Sequence, residues 1–438
     1  MALFLLFGNV SCGLLSIGLH KSTYRYYFKY KLDKNFFIKI HSSNIIYLLI
    51  IFSLTGLALF FCSPWFSETI FNNKIDSKLI KLAFLSGVFQ YFFVYFTTLL
   101  TAKEEATKFA FILILKTVTD ISISMYLIFF HSLTYAAKIY GHLLAQVLTV
   151  FLLVLLFKSI GKFIFSLKAF KKSFNFAIPQ LPQNILGFAH QSFDKVMLTN
   201  YSSLQSLTHY TFGSNFAMPI KMIMDSFARS WNTYFLKTAE DEEKDINDII
   251  DHYYQMVAII FIAGLTLSYF SEELVIFLTT ESFYYSKYII PLYILYYLIG
   301  CIGFLALPQI MYAEKMIYAL PVSIINIVFN IIFNIILIPI YGSIGAVISI
   351  FTSSLIASFF HFSYGQKSFP LNINKVKLVG LFIIGLIFIS FSYPLMFSGF
   401  SFLTKIGLKF VFISTFIFVL FQLNYLDIHH IKIRSEIE

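Results

Sequence analysis

Charged residues are scarce in this chain. Asp, Glu, Lys and Arg make up only 12% of its 438 residues, whereas 58% are hydrophobic and the mean hydropathy is +0.78. A soluble domain of this length needs roughly twice that share of charge to cover its surface. The composition therefore excludes a soluble protein and predicts a polytopic membrane protein.

The chain also has few cysteines, and they lack the spacing of metal ligands. Cys12, Cys62 and Cys301 lie far apart within apolar blocks, and none belongs to a CxxC pattern or a Cys/His ligand pattern. We expect them to be small core residues. The sequence therefore predicts no disulfide, no metal and no other cofactor.

Catalytic and nucleotide-binding motifs are missing as well. The sequence contains no GxxxxGK[ST] loop, no GxSxG and no HExxH. A membrane glycosyltransferase or polymerase needs catalytic groups in a sizeable outer loop, and the outer connections predicted here are short and poor in charge. We therefore expect a transporter rather than an enzyme.

Apolar blocks, by contrast, recur along the whole chain. About thirteen blocks of roughly 18 to 25 residues can be recognised, and their spacing fits helices rather than barrel strands. They are centred near Leu14, Phe52, Phe92, Thr119, Leu148, Phe188, Pro219, Phe261, Leu298, Phe329, Ser353, Leu386 and Ser414. The predicted fold is all-α, a two-lobed bundle of transmembrane helices around a central cavity. We expect an N-terminal lobe over residues 1–157, a cytoplasmic amphipathic linker over 158–173, a C-terminal lobe with additional helices over 174–426, and a cytoplasmic tail over 427–438.

Lysine and arginine are distributed unevenly between alternate connections. About 22 lie in one set of connections and about six in the other, which marks the richer set as cytoplasmic by the positive-inside rule. This pattern places the C terminus in the cytoplasm and Met1 outside. Because no Lys or Arg precedes Lys21, we expect that a preceding helix is missing, which would bring the total to about fourteen. Basic residues sorted by loop also argue against nucleic acid as a partner.

One span carries polar groups along most of its length. In Phe176–Leu198, one arc of about 140° of the helix surface collects the polar residues. These residues are Gln180, Gln183, Asn184, Gly187, His190, Gln191, Asp194 and Lys195. Ionisable groups inside a span cost about 2.5 to 3.5 kcal/mol each and normally face a bundle interior or an aqueous cavity. We therefore expect this helix to line a transport pathway.

Two other spans carry charged residues at helical spacing. Lys221, Asp225 and Arg229 recur at i, i+4 and i+8, so the first two form either a structural ion pair or part of a substrate site. Lys116 and Asp120 also stand at i and i+4. They form either a self-paired couple or a site where Asp120 binds a coupling proton or sodium ion while Lys116 competes for its charge.

Uncharged polar residues form further patterns. Asn326, Asn330 and Asn334 make a stripe on one helix, which predicts interhelical hydrogen bonds, with contacts to sugar hydroxyls as the alternative. His142, His209 and His361 lie in different spans. Because the sequence alone does not show whether they converge, we assign them no role.

Two cytoplasmic segments combine basic residues with aromatic or apolar ones. The segment Lys21–His41 has the composition either of a docking surface for anionic phosphate headgroups or of an interfacial belt of long side chains. The segment Lys158–Lys172 predicts an amphipathic helix on the inner leaflet.

Four stretches of sequence together carry a family resemblance. The central ones are FAIPQLPQNILGFAHQSFDKVMLTNY and YTFGSNFAMPIKMIMDSFARSWNTYF, which combine a proline pair, a polar helix ending in Asp and a basic residue, a short loop and a helix ending in an aromatic residue. GLHKSTYRYYFKYK and NIVFNIIFNIILIPIYGSIGAVIS support them. In order and spacing these stretches resemble the polysaccharide (O-antigen type) flippases of the multidrug/oligosaccharidyl-lipid/polysaccharide exporter superfamily. One departure is Lys195, which stands where Arg is commoner.

The resemblance implies a function and a site. It implies movement of an undecaprenyl-diphosphate-linked oligosaccharide from the inner to the outer leaflet of a bacterial cytoplasmic membrane, by alternating access. Lys195, Lys221 and Arg229 would attract the diphosphate beside Asp194. The groups that would bind sugar hydroxyls are Gln180, Gln183, Asn184, Gln191 and Asn330. The implied partners are the lipid-linked oligosaccharide, membrane lipids, and a polysaccharide polymerase with its chain-length regulator.

Other functions stay open at this point. A cation-coupled multidrug exporter of the same superfamily would use Asp120 as its coupling site. A noncatalytic membrane scaffold or an undetected polymerase belongs to a different class. The amides and cations along one helix face favour an anionic sugar cargo over organic cations.

Overall fold

The computed structural model describes residue 8 and residues 12–69, 77–131, 135–157, 164–241 and 247–426. Within these ranges the chain is helical apart from short connections, and it contains no strand. The all-α prediction is therefore confirmed. Residues 1–7 and 9–11, at the start of the first predicted span, and the tail over 427–438 lie outside the described residues.

The helices are numbered here in chain order. The first are α1 (Leu19–Lys29), α2 (Lys34–Thr69), α3 (Ser77–Ala102), α4 (Ala106–His131), α5 (Tyr135–Leu156), α6 (Leu167–Ala177), α7 (Gln180–Tyr201) and α8 (Leu204–Ala239). They are followed by α9 (Asn247–Tyr269), α10 (Ser271–Leu278), α11 (Ile290–Ile299), α12 (Cys301–Tyr312), α13 (Ala319–Ser368), α14 (Lys375–Ser390), α15 (Ser392–Phe397) and α16 (Phe402–Gln422). Short 3-10 helices cover Glu281–Tyr288 and Met316–Tyr318.

Many of these helices can cross a membrane. Nine helical segments of the described chain are long and apolar enough to do so. Each predicted span centre from Phe52 to Ser414 falls within a helix. The polytopic membrane fold predicted from the sequence is thus confirmed.

The longest segment, Met316–Ser368, contains two spans rather than one. At about 1.5 Å per residue its 53 residues are far longer than the roughly 30 Å hydrocarbon core. The helical path breaks at Gly342, whose φ of 55° and ψ of −126° lie outside the helical region. Pro339 precedes this break, and a proline inside a helix removes a backbone hydrogen bond. The predicted Ile-Pro turn and Gly restart therefore lie where the chain reverses.

Two different constraints explain the glycines of this turn. At Gly342 the φ of 55° lies in the left-handed region, which residues with a side chain rarely adopt. At Gly345 a Cβ would lie 2.2 Å from the Leu337 carbonyl oxygen, so a side chain would collide with the backbone.

The chain divides into two compact units, Met1–Phe188 and Ala189–Glu438, so that the division falls within α7. The predicted lobe boundaries at 157, 173 and 426 stay predictions. In the first unit, α3 packs between α2 and α5, and its aromatic residues Tyr91, Phe92 and Phe96 form the core with Phe52 and Phe157. In the second unit α9 is central.

Burial in the second unit is nearly complete around α9. Phe261 is fully buried against Phe382 of α14, with ring centroids 5.2 Å apart, and Gly264 faces Ile294 and Leu298 of α11. Tyr269 donates a hydrogen bond of 2.7 Å to the Phe388 carbonyl. These contacts give α8 and α13 a rigid support on which the site residues are placed.

The linker predicted between the lobes lies within the first unit and differs in part from the expectation. Helix α6 begins at Leu167, with the Ser166 hydroxyl accepting a hydrogen bond from the Ala169 amide, so the helix lies later than the predicted 158–172. Residues 158–163 lie outside the described part. Pro179 lies in the turn between α6 and α7, and Pro182 lies in the first turn of α7, where proline is tolerated.

Cys12, Cys62 and Cys301 are free thiols. Cys12 and Cys301 are buried, but Cys62 is exposed on α2. The prediction that all three are core residues was therefore wrong for Cys62. Cys62 lies on the apolar helix α2, and its side chain points outward from the unit rather than into the core.

Candidate functional site

The polar helix α7 contributes residues to both units. In the first unit, Gln180 is fully buried against Gly18, where a Cβ would lie 3.3 Å from Gln180 Oε1. Its Nε2 donates to the Phe176 carbonyl at 3.4 Å. Gln183 is half-buried, and its Oε1 accepts no hydrogen bond from the described residues. The side chains of Asn184 and Gln191 lie outside the described residues.

Asp194 anchors the other end of α7 in the second unit. Its carboxylate is only 3% exposed. Oδ2 accepts a hydrogen bond of 2.7 Å from the Tyr210 hydroxyl of α8, and Oδ1 accepts one of 2.5 Å from Asn334 Nδ2 of α13. Asn334 also donates to Asn330 Oδ1 at 3.2 Å. The predicted asparagine stripe thus makes an interhelical bond, with the predicted site residue Asp194 as its partner.

Lys195, the neighbour of Asp194, has the opposite environment. It is exposed and forms no ion pair with a described residue. On the predicted polar face, the Asp194 carboxylate therefore points into the second unit, whereas the Lys195 ammonium points away from this unit. Asp194 fixes the position of α7 from which Lys195 projects.

Helix α8 displays the predicted row of charges. Lys221 Nζ lies 3.2 Å from Asp225 Oδ2, so the ion pair that was one of the two alternatives for this spacing is present. The two side chains are 50% and 51% exposed. One turn further, exposed Arg229 donates to Ser226 Oγ at 3.2 Å. Exposed charges on a membrane helix require water or a polar ligand beside them.

A second polar cluster lies deep in the first unit, between α3, α4 and α5. Lys138 Nζ donates to Asp120 Oδ1 at 2.7 Å, and His142 Nδ1 lies 3.1 Å from Asp120 Oδ2. Ser124 Oγ adds a longer contact of 3.3 Å to Oδ1. The Asp120 side chain is 15% exposed, so its charge is compensated mainly by protein groups.

The expected Lys116–Asp120 pair does not form. Lys116 Nζ instead donates to Gln90 Oε1 of α3 at 2.7 Å and lies 4.1 Å from the centre of the Phe93 ring. Asp120 turns toward α5, where Lys138 and His142 supply its partners. The prediction was wrong because the spacing on one helix does not reveal which neighbouring helix offers a better partner.

Gln146 joins the two halves of this cluster, and it is fully buried. Its Nε2 donates to Gln90 Oε1 at 2.9 Å and lies 3.0 Å from His142 Nε2, while its Oε1 accepts from Ser86 at 2.9 Å. Because the amide nitrogen has two hydrogens and no acceptor, His142 Nε2 must be the acceptor. Neutral His142 then donates its Nδ1 proton to Asp120.

A close approach of two helices makes this cluster possible. A Cβ at Gly141 on α5 would lie 2.2 Å from Ser124 Oγ and 3.0 Å from the Asp120 carbonyl oxygen of α4. Glycine therefore lets the backbones come close enough for a short side chain such as Asp120 to reach His142.

At least four residues of these clusters are not predicted from the sequence. They are Lys138, His142, Gln146 and Tyr210. A usable signal exists for three of them, because Lys138, His142 and Gln146 recur at i, i+4 and i+8 on α5. Among the described residues, no group of three or more His, Cys, Asp or Glu has the arrangement of a metal site.

Fold and site together define a polytopic α-helical membrane protein with charged groups embedded in its spans. The chain belongs to the family described as "Polysaccharide biosynthesis protein", whose profile matches residues 13–238, just over half of its length. The family recognition made from the motifs is thereby confirmed. No curated protein sequence matches the chain.

Solved structures share the fold. A MATE transporter from Vibrio cholerae, VcmN in its D35N mutant, is similar with a TM-score of 0.68 and 12% identity, over 87% of this chain and 89% of that one. A MOP superfamily transporter from Pyrococcus furiosus, whose binding pocket is described as having reverse polarity, is similar with a TM-score of 0.65 and 15% identity, over 83% and 86%. At such identities the likeness establishes the fold alone. The family description and the shared fold together define a polytopic membrane protein of the polysaccharide biosynthesis family.

Proposed function

We propose that this protein is a flippase for an undecaprenyl-diphosphate-linked oligosaccharide, which it moves from the inner to the outer leaflet of the bacterial cytoplasmic membrane by alternating access. The family description supports a role in polysaccharide biosynthesis. A diphosphate sugar headgroup cannot cross hydrocarbon unaided, because burying unpaired charge and hydroxyl groups is costly. The protein must therefore offer cations and hydrogen-bonding groups in place of water.

The observation that carries the proposal is the exposure of cations on two successive helices. Lys195 on α7, and Lys221 and Arg229 on α8, keep exposed ammonium or guanidinium groups in the second unit. Charge-assisted hydrogen bonds to phosphate oxygens are among the strongest that side chains make. Asp225 neutralises part of the Lys221 charge, so we assign the diphosphate chiefly to Lys195, with Lys221 and Arg229 as further contacts.

The amides take a different place in the proposal. Gln180 and Asn330 are fully buried, so their predicted contacts with sugar hydroxyls require another conformation of the transport cycle. Gln183 is the better candidate, because it is only half-buried and its Oε1 lacks a described donor. An unpaired buried acceptor costs about 1 to 3 kcal/mol, which a substrate hydroxyl would relieve.

The first unit supplies a site for a coupling ion. We assign proton binding to Asp120 together with His142, since these two titratable groups share a hydrogen bond deep in the membrane region. The same site would serve a cation-coupled multidrug exporter, which is the alternative function. The cargo therefore has to be tested separately from the coupling.

Complementation of a flippase-null strain tests the cargo. Lys195→Ala and Arg229→Ala should each lower surface polysaccharide and raise the inner-leaflet pool of lipid-linked oligosaccharide. We expect an effect on the order of tenfold, as for loss of one charge-assisted hydrogen bond. Lys375→Ala, which removes an exposed charge at the start of α14, is the matched control and should complement fully.

Two results would contradict the proposal. Normal surface polysaccharide in both variants, at normal protein levels, would show that the assigned cations have no such role. If depletion of the protein left the glycan untouched but abolished efflux of organic cations, the multidrug exporter would be the correct function. Export of single repeat units by the mutant would instead indicate a polymerase.

A further inference from the structure

A basic pocket lies in the first unit, on helices that belong to neither polar cluster. It is an open cavity of about 580 Å³ between α6 and the start of α2. Lys168, Lys171 and Lys172 line one side, and Tyr30 and Phe36 line the other. The three lysines stand at i, i+3 and i+4 on α6, so they share one helix face.

Helix α6 is held firmly in place. Ser22 Oγ of α1 and Ser173 Oγ lie 2.5 Å apart, and the Tyr26 hydroxyl donates to the Lys172 carbonyl at 3.3 Å. Ser43 of α2 bonds both backbone groups of Ser166, accepting from its amide at 2.9 Å and donating to its carbonyl at 3.3 Å. The lysines therefore project from a fixed helix rather than from a loop.

The charge of this pocket is largely uncompensated. Lys168 and Lys171 are exposed and pair with no carboxylate among the described residues. Lys172 donates to the Tyr30 hydroxyl, and its ammonium lies 5.0 Å from the centre of that ring. The lining also contains the Asp33 carboxylate, which accepts a hydrogen bond of 3.0 Å from the Phe36 amide and so caps the start of α2. One capping carboxylate against three lysines leaves a pocket suited to an anion.

Large apolar side chains flank the pocket along the chain. Leu32, in the turn that precedes Asp33, is 100% exposed, and Leu167, next to Lys168, is 70% exposed. Ile164 and Phe165 are also exposed. Lysines beside exposed Leu and Phe are typical of a surface that lies at the boundary between headgroups and acyl chains. The same connections carry the excess of basic residues that marks the cytoplasmic side.

We propose that this pocket binds the phosphate headgroup of an anionic phospholipid of the inner leaflet. The lysines of α6 contact the phosphate, Tyr30 holds Lys172 toward it, and Leu32, Phe165 and Leu167 enter the acyl boundary. The apolar flank favours a lipid over a free phosphate compound, since a soluble ligand gains nothing from it. The site is independent of the transported cargo, because its residues contribute nothing to the proposed diphosphate site.

Lipid binding to the purified full-length protein in detergent tests this inference. Dioctanoyl phosphatidylglycerol is titrated and its bound fraction measured by native mass spectrometry, with dioctanoyl phosphatidylcholine as the zwitterionic comparison. We expect the anionic lipid to bind more tightly by a factor on the order of ten, from its attraction to adjacent lysines.

Charge-matched variants locate the site. Lys168→Gln combined with Lys171→Gln should lose most of that preference, whereas Lys168→Arg with Lys171→Arg should keep it. Lys31→Gln with Lys39→Gln removes the same two charges from exposed positions outside the pocket and should leave binding unchanged. Both glutamine variants alter exposed side chains, so folding is checked by their thermal unfolding.

Three outcomes would overturn the inference. Equal affinity for the two lipids would exclude headgroup recognition. An equal loss of affinity in both double glutamine variants would show that the lipid responds to the net charge of the protein and not to this pocket. If inorganic phosphate displaced the bound lipid at the lipid's own concentration, the ligand would be a soluble anion rather than a membrane lipid.

Discussion

At the residue scale, the hydrogen-bond roles of the two ring nitrogens of one histidine are set by its neighbours. His142 stands between Asp120, which can only accept a hydrogen bond while ionised, and the Gln146 amide, which is oriented by Ser86 and Gln90. The Gln146 NH2 group therefore makes Nε2 the accepting nitrogen and Nδ1 the nitrogen that donates to Asp120.

This arrangement predicts unequal effects of two substitutions. Asp120→Asn removes the carboxylate that pairs with Lys138 and His142, so we expect transport to fall on the order of tenfold or more. Lys116→Met should have a smaller effect, because Lys116 bonds only an amide. Initial transport rates in proteoliposomes with an imposed proton gradient measure both. A larger loss of transport in Lys116→Met than in Asp120→Asn would contradict this arrangement and would support a functional Lys116–Asp120 pair instead.

At the scale of elements, ion pairs attach the last helix to the rest of the second unit. Lys409 of α16 is 1% exposed, and its Nζ lies 2.5 Å from Glu273 Oε1 of α10. The next carboxylate, Glu272, is shared by Lys287 at 2.7 Å and Lys405 at 3.5 Å. Burial opposes the ionisation of Glu272, yet the hydrogen bonds and charges of these two lysines lower its pKa below the usual value. These pairs join α16 to α10 and to the 3-10 helix Glu281–Tyr288.

The Lys409 pair predicts a stability pattern. Lys409→Met leaves Glu273 without its partner, and we expect a loss of about 3 to 5 kcal/mol. The double variant with Glu273→Gln should recover much of this loss, because no charge is left uncompensated. Lys405→Met serves as the control and should cost less, since Glu272 keeps Lys287. Thermal unfolding in detergent measures all three, and equal losses in the single and double variants would contradict this explanation.

At the scale of the whole molecule, the sorting of basic residues predicts the orientation. An impermeant thiol reagent should label Thr280→Cys in spheroplasts and should reach Lys315→Cys only after the membrane is permeabilised. Both residues are exposed, and Cys12, Cys62 and Cys301 are replaced by Ala in the background. The reverse labelling pattern would place the C terminus outside and contradict the cytoplasmic assignment.

Much of the fold could be predicted from local signals. Span centres from Phe52 onward, the break at Gly342 and the Lys221–Asp225 pair follow from block length, turn residues and i, i+4 spacing. The candidate site was predicted less completely. Asp194 was recognised on a polar helix, but its burial against Tyr210 and Asn334 was not, because those partners come from α8 and α13.

The sequence by itself determined that this is an all-α membrane protein of the polysaccharide biosynthesis family. The lengths of the apolar blocks, the distribution of Lys and Arg between the connections and the order of the motifs can all be read directly from the chain. Only the tertiary structure decided which partner each embedded charge takes. Asp120 prefers Lys138 and His142 over Lys116 because Gly141 lets α5 approach α4 closely. Such a preference depends on how neighbouring helices pack, and the residue spacing on one helix does not predict that packing.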